Sequence, residues 1–495
     1  MVFAREVECA TDTGMAQADQ VPAEIEREMT PAVRAFFEAQ RRQWQRRVEE
    51  LESRVAELER ELKKHDRFRR PEPPAAAAVA VEALGSPSDI TQPTSKKKRG
   101  GQPGHPKSER KLLPSDECDE VIALLPEECR GCGETLKGVD ADPWRHQVWE
   151  LPEIKPVVTE YQRHRLVCAC CGKSTCAELP EGVPTGQSGP RLVAFVALLM
   201  VCFRLSKRRV SLFCETVLNV PLCPGTIIKL QSIATAATRP AYDSLVKKLP
   251  KQDRLNGDET PTKQANQNAW IWTLVAASFT VFAVRLTKAA CVIHELLTLE
   301  YAGVLTSDRA KMYLWCPRLQ WCWAHLKRDF EAMSLRAGEA GDIGKRLSEM
   351  TRDMFHHWHR VRDGTVKWET FMKHRDRLYG QVHLALEDGT RCADNATAAT
   401  CAGLLDRYDN LWRFAETAPG LDPTNNAAER ALRHPVIWKQ LSFGTQSHAG
   451  SRFVETLLTV LETCRQRNKN TFEFLTQAIS AHFASQKPPS LLARV

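Results

Sequence analysis

The middle of the chain carries two runs of strand character, Ala269-Trp270-Ile271-Trp272-Thr273-Leu274-Val275 and Phe279-Thr280-Val281-Phe282-Ala283-Val284-Arg285-Leu286. Both are rich in aromatic and β-branched residues, which suit a pleated, half-buried surface. Arg254 to Thr260 precedes them and reads as a strand. A short helix is predicted from Ala289 to Thr298, then strands over Ala302–Asp308 and Leu319–Trp323. Residues 331–420 have a mostly helical pattern with Trp358, Trp368 and Trp412, predicting an α-helical insertion whose aromatics form its own core. A further helix opens at Asn426, read as its N-cap, and carries Glu429 in its first turn. Phe443 to Arg452 then reads as a polar loop, and Phe453 to Thr463 as a buried helix.

Upstream, Arg191 to Leu249 is helical in pattern. Its most apolar run, Leu192 to Phe203, spans 12 residues between Arg191 and Arg204, too short for a membrane span and suited to a buried helix. Arg204–Leu218, the turn Asn219–Gly225 and Thr226–Thr235 make a helix-turn-helix candidate, for which pure packing is the alternative. Between residues 31 and 68, Val48, Val55 and Leu62 fall seven apart, as do Trp44, Leu51 and Leu58. That spacing predicts a parallel dimeric coiled coil, with Arg47 facing Glu52 and Arg54 facing Glu59 of the partner chain. A lone amphipathic helix is the alternative.

Composition adds less. The net charge of +8 and pI near 8.7 suit a nucleic-acid partner without demanding one. The acidic start of the chain lacks the pattern of an export signal, so the expected location is the cytoplasm. Residues 1–30 read as a mobile tail. Residues 69–113 read as a flexible basic linker, where Lys96, Lys97, Lys98 and Arg99 are candidates to follow a DNA backbone.

Seventeen cysteines in such a compartment read as thiols, a subset of them on metal. Cys129-Arg130-Gly131-Cys132 and Cys168-Ala169-Cys170-Cys171 supply two knuckles able to close a structural, four-thiolate Zn²⁺ site within residues 114–182. Trp144–Leu151 and Val157–Val167 are predicted strands of a zinc-ribbon-like module. The 35 residues between the knuckles exceed the usual spacing of about 15–20, and Cys170 or Cys176 could replace a ligand of the second knuckle.

Three carboxylates carry the chemistry. Asp258 and Asp308 belong to apolar strands, where open α/β sheets place their reactive groups. Glu429 enters from a helix amid Arg430, Arg433, His434 and Lys439. For Glu429 alone the simple reading is a capping box, its carboxylate reaching back to the Asn426 N–H. Together the three can hold two Mg²⁺ (or Mn²⁺) ions for in-line attack on a phosphodiester. Glu259, its neighbour in the strand, points to the opposite face. Cys322 and His325 form a C-x-x-H pair lacking partners for zinc, so a DNA-positioning role suits His325 and strand packing suits Cys322. Lys327, Arg328, Arg430 and Arg433 are candidates for phosphate contact.

Asp258-Glu259-Thr260-Pro261, Thr306-Ser307-Asp308, Cys322-Trp323-Ala324-His325-Leu326-Lys327-Arg328 and Thr424-Asn425-Asn426-Ala427-Ala428-Glu429-Arg430-Ala431-Leu432-Arg433 together resemble the insertion-sequence-66 family of bacterial transposases. Thr424 stands where many members have Asp. The resemblance implies a multidomain α/β chain: coiled coil, zinc-ribbon-like module, helical segment at 183–250, RNase H-like catalytic domain at 251–480 with the helical insertion, and a tail at 481–495. It implies an Asp-Asp-Glu triad of Asp258, Asp308 and Glu429 that cuts and joins element ends. The implied partners are double-stranded DNA with terminal inverted repeats, a second copy through the coil, and element-encoded accessory proteins. The alternative is a dimeric DNA-binding repressor of transposition that does not cut.

Overall fold

The computed structural model describes residues 110–416 and 421–493, with isolated positions 31, 46, 49 and 53. The predicted coiled coil lies outside the described residues except for those four helical positions, and the Lys96–Arg99 run lies wholly outside them. The chain divides into two compact units, 1–147 and 148–495.

In the first unit the described residues hold little regular structure beyond a short 3₁₀ turn at Ser115–Glu117 and a bridge between Glu128 and Thr135. No strand forms over Trp144–Leu151, contrary to the sequence expectation. The Gln147 side chain meets both polar groups of Leu113 instead, accepting its N–H and donating to its carbonyl, each at 2.9 Å. A side-chain amide therefore takes the place of a neighbouring strand.

The second unit opens with a two-stranded antiparallel ribbon, β1 (Arg165–Val167) and β2 (Ser174–Cys176). Only the last three residues of the predicted Val157–Val167 strand are in it, because β2 is itself only three residues long. Three helices follow, α1 (Pro190–Val201), α2 (Lys207–Leu218) and α3 (Pro224–Val246). The apolar run does form a buried helix, α1. Ser206 caps α2 by accepting the Arg209 N–H. Beyond its first turn, α3 buries Leu230, Ala234, Ala237, Ala241 and Leu245. Its Tyr242 hydroxyl donates to the Phe282 carbonyl, so most of this helix is core.

The central sheet contains β3 (Arg254–Gln264), β4 (Gln267–Val275), β5 (Thr280–Arg285), β6 (Val304–Ser307) and β7 (Leu319–Trp321). Its spatial order is β5-β4-β3-β6-β7, with β3–β4–β5 an antiparallel meander and β6 and β7 parallel to β3. Helix α4 (Cys291–Leu297) makes the crossover to β6.

After β7 the chain enters α5 (Trp323–Ser334) and then α6 (Glu339–Arg362), α7 (Trp368–Thr390) and α8 (Asn395–Leu405). This is the predicted helical insertion, although α5 runs on to Ser334, past its expected start. Trp358 meets Phe371 and Phe414 edge to face, and the two phenyl rings pack tilted against each other, as its core. The chain returns where it left: the Trp323 N–H donates to the Pro423 carbonyl at 3.0 Å, and the Trp323 indole donates to the Leu411 carbonyl at 2.6 Å.

Three helices close the unit, α9 (Asn426–Ser442), α10 (His448–Gln466) and α11 (Thr471–Phe483). The expected polar loop at 443–452 is shorter than predicted. Ser447 accepts the Gly450 N–H and starts α10 at His448. Gly444 has φ +95°, and a Cβ there would come within 2.3 Å of the Lys263 carbonyl, so the loop lies directly on β3. Among the described residues no helix is long and apolar enough to cross a membrane.

Candidate active site

Parallel pairing of β3 with β6 puts Asn256 opposite Thr306. Asp258 and Asp308 each follow two residues later, so they leave adjacent strands at one level and on one face. Asp308 lies just past the end of β6, where its Oδ1 accepts the Ala310 N–H at 3.0 Å. Asp258 Oδ1 accepts the N–H of Glu259 at 2.8 Å. Glu259 points the other way, as expected, with its carboxylate held by the Tyr313 hydroxyl and by Lys288 at 2.8 Å.

Glu429 reaches this face because α9 is tied down along β3. Asn425 is the N-cap, not Asn426, and its side chain caps nothing. Its Nδ2 donates to the Gly257 carbonyl at 2.8 Å, and its Oδ1 accepts from Asn256 Nδ2 at 3.2 Å. The amide that would have satisfied the helix end is spent on the strand carrying Asp258. Further along, Lys439 Nζ donates to Thr260 Oγ1 and the Pro261 carbonyl, and Thr445 pairs with Lys263 and Ala265.

The electrostatics agree with the placement. Burial, together with the negative charges of Glu259, Asp308 and Glu429, pushes Asp258 up to about 7, partly offset by the Glu259 N–H. Glu429 does not form the capping box. Its Oε1 is buried without a hydrogen-bond partner, 3.7 Å from His325 Nδ1 and 3.6 Å from Arg328 Nη2. His325 Nδ1 is likewise unpartnered. A buried carboxylate oxygen and a buried imidazole nitrogen left open beside further carboxylates are a donor set suited to a divalent cation.

The C-x-x-H pair has a neighbour that spacing did not reveal. Cys322 is no strand residue: it is the N-cap of α5, and its Sγ accepts the Asn425 N–H at 3.1 Å. Cys322, His325 and Glu429 offer ligand atoms within 4.8 Å of one another. Lys327, by contrast, lies along its own helix toward Glu331, 3.9 Å away. Arg430 and Arg433 are exposed on α9.

The two cysteine turns, each within its own unit, repeat one another. The Cys129 N–H donates to the Glu134 carbonyl and the Gly133 N–H to the Cys129 carbonyl. Cys168 with Lys173, and Gly172 with Cys168, make the same pair of bonds. Gly133 and Gly172 both take positive φ, at +77° and +68°. The correspondence aligns Cys132 with Cys171, not with Cys170. Backbone N–H groups within each turn hold the Cys129 and Cys168 thiols below the usual range, favouring the thiolate.

Comparison with known proteins agrees with this organisation. Residues 126–172, which contain both cysteine turns, match the zinc-finger binding domain of transposase IS66. An uncharacterized protein of Sinorhizobium fredii, y4hP, is 24% identical over 400 residues, covering 72% of this chain and 71% of the relative. A second from the same organism, y4qI, is 22% identical over 273 residues, covering 48% and 49%. Residues 185–452, more than half of the chain and including Asp258, Asp308 and Glu429, match the description Transposase IS66 family, and the chain belongs to that family.

Proposed function

We propose that the chain cuts the ends of a bacterial insertion sequence and joins them to target DNA, with Asp258, Asp308 and Glu429 as its Asp-Asp-Glu triad. The observation that carries this reading is the placement of Asp258 and Asp308 at one level of adjacent strands, with Glu429 near enough for its charge to add to that of Asp308 in raising Asp258, burial being the larger cause. The sheet order β5-β4-β3-β6-β7, with a meander followed by two parallel strands, supports an RNase H-like domain. Asp258, Asp308 and Glu429 would hold Mg²⁺ or Mn²⁺, which supplies activation of the attacking hydroxyl and stabilisation of the leaving oxygen.

The residues around them orient and charge-balance. His325 and Arg328 approach Glu429 from α5, and their positive charge would balance its carboxylate. Exposed Arg430 and Arg433 extend a basic rim suited to phosphates, with the Lys96–Arg99 arm as a further contact. A structural Zn²⁺ on Cys129, Cys132, Cys168 and Cys171 would brace the DNA-facing finger. Terminal inverted repeats are the DNA partner, pairing of two copies occurs through the heptads, and accessory proteins of the element assist. The site of action is the cytoplasm, at the nucleoid.

Mobilisation of a marked element in cells, with its neighbouring genes kept, tests the reading. Asp308→Asn and Glu429→Gln should abolish movement while retaining end binding, and should remove the rise in melting temperature that Mg²⁺ gives the wild type. Movement by both variants at the wild-type rate would remove the triad. End binding without movement by any form, wild type included, would favour a repressor that does not cut.

A further inference from the structure

A second cluster of metal-ligating side chains lies in the helical insertion. Asp353 and His357 sit one turn apart on α6, and His374 faces them from α7. Asp353 Oδ1 is 3.1 Å from His357 Nδ1, and Asp353 Oδ2 is 3.0 Å from His374 Nε2. The two imidazoles stack with centroids 3.6 Å apart at 23°. One ligand atom from each of the three residues falls within 4.8 Å of the others.

Ordinary hydrogen bonding leaves part of this unexplained. His374 is 11% exposed, and its Nε2 is buried without a hydrogen-bond partner although a carboxylate oxygen is 3.0 Å away. Such a short contact off the N–H axis is what two ligands of one ion make, since bonds of about 2.0–2.2 Å set neighbouring donors roughly 3 Å apart. We propose that Asp353, His357 and His374 form a transition-metal site of the class that takes Zn²⁺, clamping α6 to α7. Two imidazoles and one carboxylate are the donors that zinc accepts, and Asp353, 38% exposed, leaves the remaining position to water.

Two groups compete with the ion. The Asp353 carbonyl is 3.1 Å from His357 Nδ1. Arg377 Nη2 lies 3.1 Å from His374 Nδ1 and 3.8 Å from Asp353 Oδ2. Arg377 is 63% exposed and free to swing outward when the site fills.

The test uses the full-length protein, stripped with chelator, reloaded with Zn²⁺ and desalted, with metal counted by mass spectrometry. A Cys129→Ser/Cys132→Ser background, which removes thiolate zinc, should still hold about one zinc per chain. His374→Gln and Asp353→Asn in that background should each lose it. With Co²⁺, the wild type should show weak visible bands from a nitrogen and oxygen site, and His374→Gln should lose them while keeping the strong thiolate absorption. Arg377→Ala removes the competing charge and should tighten Zn²⁺ binding severalfold. Equal zinc in the background with and without His374→Gln, or weaker binding by Arg377→Ala, would overturn the proposal. The Arg377→Ala result stands even where the histidine variants fold poorly.

Discussion

Asn425 shows how much one side chain can decide. It is fully buried, sits at a helix start and gives none of its side-chain hydrogen bonds to that helix. Its amide instead bridges Gly257 and Asn256, while its backbone N–H meets Cys322 Sγ. Three elements carrying candidate residues, β3, α5 and α9, therefore meet at one amide. Asn425→Ala removes the side-chain donor of the Gly257 carbonyl and leaves the Asn256 amide only its bond to the Thr424 carbonyl, at about 1–3 kcal/mol for a buried group that loses its partner. Thermal unfolding should show a drop of several degrees. Transposition should fall further than stability accounts for, because the start of α9, which carries Glu429, loses its side-chain tie to β3. Activity that tracks the melting temperature alone would make Asn425 merely structural.

Among the elements, α10 solves a problem that β5 creates. An edge strand offers a row of unpaired N–H groups, which invites association with other chains. Here the Thr280, Phe282 and Val284 N–H groups donate to Thr463, Thr459 and Glu455 of α10. Two strand residues advance about 6.6 Å and four helix residues about 6.0 Å, so the two ladders stay in step. Glu455 is fully buried and held by Arg239, Arg452 and Arg285 at 2.7, 2.8 and 3.2 Å. Glu455→Ala leaves Arg452 without a carboxylate and the Val284 N–H without its acceptor, while Arg239 keeps Asp243 and Arg285 keeps Glu295; it should cost about 3 kcal/mol, read as a fall of about 5 °C in the melting midpoint. Thr459→Val keeps the shape but strands one N–H, so hydrogen exchange at Phe282 should quicken while the sheet persists.

For the molecule as a whole, the helical insertion can grow without disturbing the site because its two ends are pinned together at Trp323 and Pro423. The chain departs beside Asp308, runs through α6, α7 and α8, and returns to deliver Glu429. The zinc module is separate from this logic and can be tested separately. Cys171→Ser should lower bound zinc by one per chain and weaken end binding, whereas Cys170→Ser should change neither, since only Cys171 occupies the turn position equivalent to Cys132. Loss of zinc on Cys170→Ser alone would reverse that assignment.

Strand periodicity around Trp270 and Phe282, the apolar run of α1 and the aromatic helices of the insertion were legible from the sequence, because each depends on a local pattern of burial. The sequence also pointed to Asp258, Asp308 and Glu429, two on strand-like segments and one at a helix start, and the register of β3 with β6 sets the two aspartates at one level. What spacing could not reveal is what a side chain meets across the fold. Asn425 reads as a neighbour of a cap until β3 is beside it, and Cys322 as strand packing until the Asn425 N–H reaches its sulfur. Cys170 and Cys171 are equivalent as thiols, and only the backbone turn, with Gly172 at positive φ, separates them. Local hydrophobic pattern determines which elements exist. Long-range hydrogen bonds, which carry no trace in a linear pattern, decided how those elements converge on Asp258.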